Sequence, residues 1–356
     1  MLTFAVMPCL DEVDYVGEAV RSLLEPTGGD SSDLMVIVVD NGSTDGTLDV
    51  LADVTHRYPG RIMVEAEHRR GYVPPRRRGV AVAARIASEM SVPDCDVLIL
   101  QSDADTTYRS GYVGAMRGAA ASAPGAILEG SIGRPPTFEA EHPTYVEAER
   151  TVDSAVESLE AADEDDVVVD DKVCAYRLSD YISWGGLFEE WSDVGDPIHA
   201  ETTRMFIRAR LRGGTPKVRV NRAGAFPSRR RVLENPRYHF ATLGFPRERA
   251  WADRVASGWS ASDVDAFARM VLAGHERQAV ALRVHHLLAL FRFLPAIILA
   301  AMGSNSALLA EPDVAAALEL VPRRKRDELA ERPALAILDA LGLIDEHPEA
   351  FQMEMR

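Results

Sequence analysis

Five short apolar runs, at residues 3–8, 34–40, 61–66, 96–102 and 126–132, are separated by stretches with helical periodicity at 13–25, 46–58, 76–90 and 109–122. Strands joined through helices cannot close as tight hairpins. They pair mostly in parallel, with helices on both faces of the sheet. Open sheets of this kind bind ligands beyond the carboxyl ends of their strands. The fourth run, Leu98-Ile99-Leu100-Gln101-Ser102, ends in Asp103-Ala104-Asp105. Alternate residues of a strand face one side, so both carboxylates can point into a single crevice. Two hard oxygen donors side by side suit Mg²⁺ or Mn²⁺ carrying a diphosphate. The competing reading is a loop whose aspartates cap a following helix.

Three other segments bear on that choice. Phe4-Ala5-Val6-Met7-Pro8-Cys9-Leu10-Asp11-Glu12 is an apolar strand ending in proline and two acids. Met35 to Asp40 is a buried strand with an acid at its tip, and the turn Asn41-Gly42-Ser43-Thr44-Asp45-Gly46-Thr47 then opens a helix. Arg69-Arg70-Gly71-Tyr72 is followed by Pro75-Arg76-Arg77-Arg78-Gly79. In order and spacing these pieces resemble the family 2 glycosyltransferases with the GT-A fold, over roughly residues 3 to 215.

The resemblance implies a metal-dependent transferase that moves a hexose from a nucleotide-diphosphate sugar to an acceptor hydroxyl, with inversion. It implies that Pro8, Asp11 and Glu12 line the nucleoside and that Asp40 hydrogen-bonds the base. Asp40 also reads as a turn former, and Asp45 as the cap of the helix opening at Gly46. Arg76 and Arg77 stand where the family opens a helix with an Ala-Arg-Asn stretch. A helix N-terminus with arginine suits a phosphate or sugar hydroxyl; an exposed basic helix start is the alternative, for these as for Arg69 and Arg70. The resemblance makes Asp103 a ribose or sugar contact and Asp105 the main ligand of Mg²⁺ or Mn²⁺. His239 is the candidate third ligand, with His199 behind it. Ser228-Arg229-Arg230-Arg231 matches a stretch that closes over the diphosphate; the alternative is an exposed basic loop.

The match is imperfect at the catalytic base. The family has Gly-Gly-Phe, then Glu-Asp opening a helix, with the aspartate as base. Here Gly185-Gly186-Leu187-Phe188 precedes Glu201-Thr202, and a threonine cannot be that base. Glu201 takes the role, or Asp193 or Asp196 reaches in, or the reaction retains configuration and needs none; Glu201 is the preferred reading.

With 356 residues and 47% hydrophobic content, the chain can bury a large core. A net charge of −16 is no nucleic-acid footprint. Only three of the 39 basic residues are lysines, at 172, 217 and 325. Cys9, Cys95 and Cys174 make neither a zinc pattern nor a disulfide framework, and the chain starts directly with a strand. The expected location is therefore cytoplasmic.

The expected organisation is a GT-A domain over 1–245, split into a nucleotide-sugar half (1–133) and an acceptor half (134–245), followed by a helical region over 246–356. In the acceptor half the pattern predicts helices at 144–162 and 197–212 and strands at 167–169 and 217–221, with an acidic solvated run from Glu160 to Asp166. Residues 287–310 are very apolar but are interrupted by Arg292 and Pro295, which predicts a buried helical hairpin. The competing reading is a membrane-docking patch at 286–303 for a lipid-linked acceptor; small molecules and glycans are the other acceptor classes. Two rivals remain. A sugar-phosphate nucleotidyltransferase would open with a Gly-rich loop and a lysine after the first strand, and this chain has neither. A non-catalytic GT-A scaffold is kept in play by Thr202.

Overall fold

The computed structural model describes residues 1–24, 34–192, 195–245 and 263–351. Four strands expected from the sequence form one half of an eight-stranded sheet: β1 (Leu2–Cys9), β2 (Leu34–Asp40), β3 (Ile62–Ala66) and β4 (Val97–Gln101). All three pairings among them are parallel. The other strands are β5 (Thr106–Tyr108), β6 (Ile127–Ile132), β7 (Cys174–Arg177) and β8 (Lys217–Pro227). The order is β3-β2-β1-β4-β7-β6-β8-β5, with antiparallel pairs at β4–β7, β6–β7 and β5–β8. The result is an α/β fold with a mixed sheet and a helical C-terminal region.

The chain steps outward from β1 through β2 to β3, then returns to place β4 on the other side of β1. Between the carboxyl ends of β1 and β4 the strand order reverses. Such a switch point is where open α/β sheets leave a crevice. Both strands are buried on both faces, which explains their unbroken apolar runs. Helix α1 (Val16–Leu24) and helix α2 (Thr47–Arg57) contribute to one core layer, and helix α3 (Val73–Glu89) to the other. Helix α4 (Tyr112–Ser122) covers the former side.

Residues 134–245 depart from the sequence pattern in several places. Val167–Val169 is not a strand, because its backbone bonds go to side chains. Val168 N donates to the Asp166 carboxylate at 2.9 Å and Val169 N to Thr203 Oγ1 at 3.0 Å. The sequence pattern gives no sign of helix α5 (Pro136–Glu141), and helix α6 (Pro143–Ser154) ends before the expected 162, giving way to a short 3₁₀ turn at Glu157–Leu159. Helix α7 is Leu178–Trp184. The next, α8, begins at Glu201 rather than 197 and runs to Gly213, because Ala200 takes a left-handed φ of 61° that turns the chain sharply into it. Strand β8 extends six residues beyond the expected 221, to Pro227.

No hairpin forms at the C-terminal apolar stretch. Residues Arg277–Met302 make one continuous helix of 26 residues. A π-helical turn at Ala289–Phe293 precedes Pro295, where a proline falls in the first turn of the following α-helical segment. Arg292 does not break it either. Its guanidinium is buried against Asp313, at 2.8 Å, and Glu311. By length and composition this helix could cross a membrane, yet 72% of its most apolar window is buried in the protein. It shares one core with Phe4, Val6, Ile37 and Phe206 of the α/β layer.

Gly79 seats α3 on the sheet. A Cβ there would collide with Val6 Cγ1 and press on Val39 Cγ2. The Gly79→Ala variant should lose about 1–3 kcal/mol of stability, as overpacked cores do. The check is a lowered urea midpoint at unchanged m-value.

Candidate active site

A cavity of about 930 Å³ opens at the switch point. Its size is that of a small-molecule site. One wall is the end of β1, with Pro8 and Glu12; the floor is Asp103, Ala104 and Asp105, just past β4. The start of α8 and the loop Asp170–Lys172 close it from the side, and the segment from Pro227 to Val232 lies across it. Leu290, Phe291 and Leu294 of the long C-terminal helix complete the lining.

The centre of the site is Arg76, in the first turns of α3 and almost wholly buried. Its Nη2 donates to Asp103 Oδ1 at 2.8 Å and to Asp171 Oδ2 at 2.7 Å. Its Nη1 lies 3.0 Å from Glu201 Oε1. Burial disfavours the charge on Arg76, but Glu201, Asp171 and Asp103 together raise its pKa above the ordinary guanidinium value. Lys172 adds a second cation, 2.8 Å from Asp170 and 3.7 Å from Asp171. Withdrawal from water and the nearby Asp171 charge push the Asp103 carboxyl up to about 7, against the pull of Arg76 and Lys172.

Asp105 is held from the opposite side. Ser228 Oγ donates to its Oδ2 at 3.0 Å, and Arg230 Nη2 lies 3.3 Å from the same atom. Arg230 also grips Glu12 with both Nη atoms, the first at 2.6 Å, and stacks over Tyr15. One arginine thus ties the start of helix α9 (Arg230–Glu234) to the β1–α1 loop and to the acid pair. Burial raises the Glu12 pKa, outweighing Arg230. Arg229 also lines the cavity but has other partners. It pairs with Glu149 at 3.5 Å and stacks on Phe138. Glu149 is buried; Arg229, Arg283 and Arg134 overcome that burial and hold its pKa below the usual value.

The expected nucleoside residues divide. Pro8 and Glu12 line the cavity, whereas the exposed Asp11 and the buried Asp40 are not part of the lining. Asp40 caps its own turn, accepting from Gly42 N at 3.0 Å and Ser43 N at 3.1 Å. Asp11 accepts from Thr44 N at 2.7 Å, and Val13 N donates to Asp45 at 3.1 Å. These two acids lace the β1–α1 and β2–α2 loops together and so shape the cavity rim. Asn41 reaches the lining instead, pinning the 67–71 loop through Glu67 O, Arg69 O and Gly71 N. Arg77 is exposed, because on α3 it lies one residue round from Arg76. Arg70 packs over Gly42 and Arg69 pairs with Glu189.

The expected base residues divide too. Glu201 lines the cavity, but its side chain is only 4% exposed and faces Arg76. Asp196 sits in a tight turn closed by Ser192 and is not part of the lining. Asp193 lies outside the described residues. Thr202 lines the cavity with its hydroxyl buried and unbonded among the described residues. The loop leading into α8 is held by Arg204, wholly buried, which binds Phe188 O, Ile198 O, His199 O and Glu190. The His199 ring lies against Tyr72, centroids 4.2 Å apart and tilted by 58°.

His239 also reaches the cavity, but among the described residues no three His, Cys, Asp or Glu side chains cluster as metal ligands. Its ring lies edge-on to Tyr238 and against Gly244, away from a shared ligand set. Asp103 and Asp105 alone still fit Mg²⁺ or Mn²⁺. Such ions commonly take one or two carboxylates and complete their shell with phosphate oxygens and water. Sequence reasoning missed Asp171 and Lys172. Their signal was present: Val167-Val168-Val169 followed by Asp170-Asp171 repeats the pattern of an apolar run that delivers acids.

Residues 4–128 match the model of the family described as "Glycosyl transferase family 2". That span holds β1 to β4 and the acid pair, and over it the chain is similar to that family. No curated protein matches the chain. Among solved structures, the mannosyltransferase PcManGT from Pyrobaculum calidifontis, in complex with GDP-Man and Mn²⁺, is 17% identical with a TM-score of 0.47. The match covers 97% of this chain and 88% of that one. TarS residues 1–349 from S. aureus, in complex with UDP, is 13% identical with a TM-score of 0.47, over 98% of this chain and 92% of that one. The same protein in complex with UDP-GlcNAc is 15% identical with a TM-score of 0.44, over 98% and 92%.

Arg76→Met should leave the nearly buried Glu201 and the partly exposed Asp103 and Asp171 without their shared cation. Breaking one side of such a pairing costs about 3–5 kcal/mol. Adding Glu201→Gln should return part of it, and a double-mutant cycle in urea reads that coupling.

Proposed function

We propose that this protein is a divalent-metal-dependent glycosyltransferase that moves a hexose from a nucleotide-diphosphate sugar to an acceptor hydroxyl with inversion. The observation that carries the reading is the acid pair Asp103 and Asp105 on the floor of a cavity at the strand switch point. Eight acids line it, Glu12, Asp103, Asp105, Glu129, Asp166, Asp170, Asp171 and Glu201, against six cations, Lys172 and Arg76, Arg219, Arg229, Arg230 and Arg231. A diphosphate would be repelled by that surplus unless a cation came with it. Asp103 and Asp105 would hold the ion, and when bound it stabilises charge on the leaving diphosphate as a Lewis acid.

The chain's own residues do the rest. Pro8 and Asn41 bound the end of the cavity suited to the nucleoside. Arg76 fixes Asp103, so the carboxylate does not have to be ordered when the donor arrives. Arg230 lies close enough to Asp105 to exchange Glu12 for a phosphate oxygen, since guanidinium groups bind both anions bidentately. Glu201 acts through Arg76, its ion-pair partner.

The test is a titration of UDP-, GDP-, ADP- and dTDP-sugars into the protein with and without Mn²⁺, alongside Asp105→Ala. One donor should bind tightly with metal and lose about 10-fold or more in the variant, a typical loss for a perturbed metal site. Absence of binding by every donor, with the fold intact, would favour the non-catalytic scaffold that Thr202 leaves open.

Metal affinity should also depend on pH. A proton on Asp103 competes with the ion, and its pKa is raised to about 7. The Kd for Mn²⁺ alone should therefore rise as pH falls from 8 to 6, because the protonated fraction grows through 7. In Asp103→Asn this dependence should flatten; calorimetry at several pH values reads both.

A further inference from the structure

We propose that Asp171 is the group that takes the proton from the incoming acceptor hydroxyl, an inference that rests on the transferase reading above. Three placements lead to it. Thr202, at the position the family resemblance would give the base, offers only a buried hydroxyl. Glu201 has a carboxylate, but its side chain is 4% exposed, against 30% for Asp171. An acceptor must touch its base, so reach decides between them. Asp171 also shares one nitrogen, Arg76 Nη2, with Asp103. Its carboxylate is therefore no further from Asp103 than the two bonds to that nitrogen allow. This places it beside the acid pair that would hold the donor.

The other acids of the cavity are committed elsewhere. Arg230 and Ser228 hold Glu12 and Asp105 at the opposite wall. Asp170 accepts from both the backbone N and the Nζ of Lys172, shaping the loop. Glu129 accepts from Asp170 N at 2.7 Å and pairs with Lys217 at 3.2 Å. Arg76 Nη2 at 2.7 Å and Lys172 Nζ at 3.7 Å flank Asp171 and fix where its carboxylate lies.

The step balances without a further reactant. The acceptor oxygen bonds to the anomeric carbon as the bond from that carbon to the diphosphate oxygen breaks. The electron pair leaves with the diphosphate, and the hydroxyl proton passes to the Asp171 carboxylate. From a side chain 30% exposed, the proton returns to water.

The experiment uses Asp171→Asn in the full chain. The asparagine oxygen can keep its bond to Arg76 Nη2 but no longer accepts a proton. Donor affinity is measured with Mn²⁺ across the same nucleotide-sugar panel. Turnover is measured as nucleoside diphosphate release, with water and then methanol as the hydroxyl acceptor. The expected result is donor affinity within about 3-fold of wild type and turnover lowered about 100-fold, the scale of a lost general base. Asp171→Glu should recover part of that loss. Turnover within about 3-fold of wild type in Asp171→Asn would overturn the inference. So would loss of donor binding in that variant, which would make Asp171 part of the donor site. A wild-type protein that binds a donor but releases no diphosphate would overturn it in favour of a scaffold. A wild-type protein that binds no donor would bring down the transferase reading itself.

Discussion

The organisation of this cavity depends on one guanidinium shared among three carboxylates. Arg76 is carried on α3, Asp103 follows β4, Asp171 precedes β7, and Glu201 opens α8. Four separate pieces of the chain are thus referred to a single planar group. Arginine suits the task because its fork has fixed donor directions and it does not surrender its proton on burial. Lysine would present a point charge and set no angles. In a chain with only three lysines, this division of labour is visible elsewhere: Arg204, Arg283 and Arg292 each bury a guanidinium where segments meet.

The same constraint explains why the α/β layer and the C-terminal helices form one body. Glu201 can face Arg76 only if α8 enters at a fixed angle. That entry is set by Ala200 at positive φ and by Arg204 gathering three carbonyls and Glu190. Glu190 in turn accepts from Ala334 N at 3.3 Å, and Arg326 Nε donates to Leu211 O at 2.5 Å at the far end of α8. The helical region therefore braces the helix that carries the site. It also supplies cavity lining through Leu290 and Phe291, on the π-helical turn. A turn of this type inserts one residue per helical turn and re-aims the side chains around it. Here it lets an arginine inside an apolar helix find Asp313 while its neighbours face the cavity.

The parts legible in the sequence were those governed by local periodicity. Strands β1 to β4 are continuous apolar runs because both faces are covered, and the Asp103–Asp105 spacing follows from the two-residue repeat of a strand. Periodicity says that a residue is buried but does not name its partner. It therefore missed β5 and β7, which are short. It assigned Val167–Val169 to a strand although those amides bond to Asp166 and Thr203 side chains. Arg292 and Pro295 were read as breaks because their local effect is disruptive; burial against Glu311 and Asp313 supplies the compensation. Arg76 was singled out, but its meeting with Asp171 and Glu201 spans 95 and more residues. No local signal encodes such a meeting.

Thr202 then takes on a specific meaning. A threonine beside Glu201 removes one carboxylate from a region where Asp103, Asp171 and Glu201 already crowd one cation. A further acid there would have to be desolvated next to three others with only Arg76 and Lys172 to offset it. An acid on the loop before β7 instead stays partly in water, where its charge costs less. A threonine rather than an acid at position 202 and an acid at position 171 are thus two sides of one electrostatic arrangement. The first keeps Arg76 from being overwhelmed; the second keeps a carboxylate at the mouth of the site.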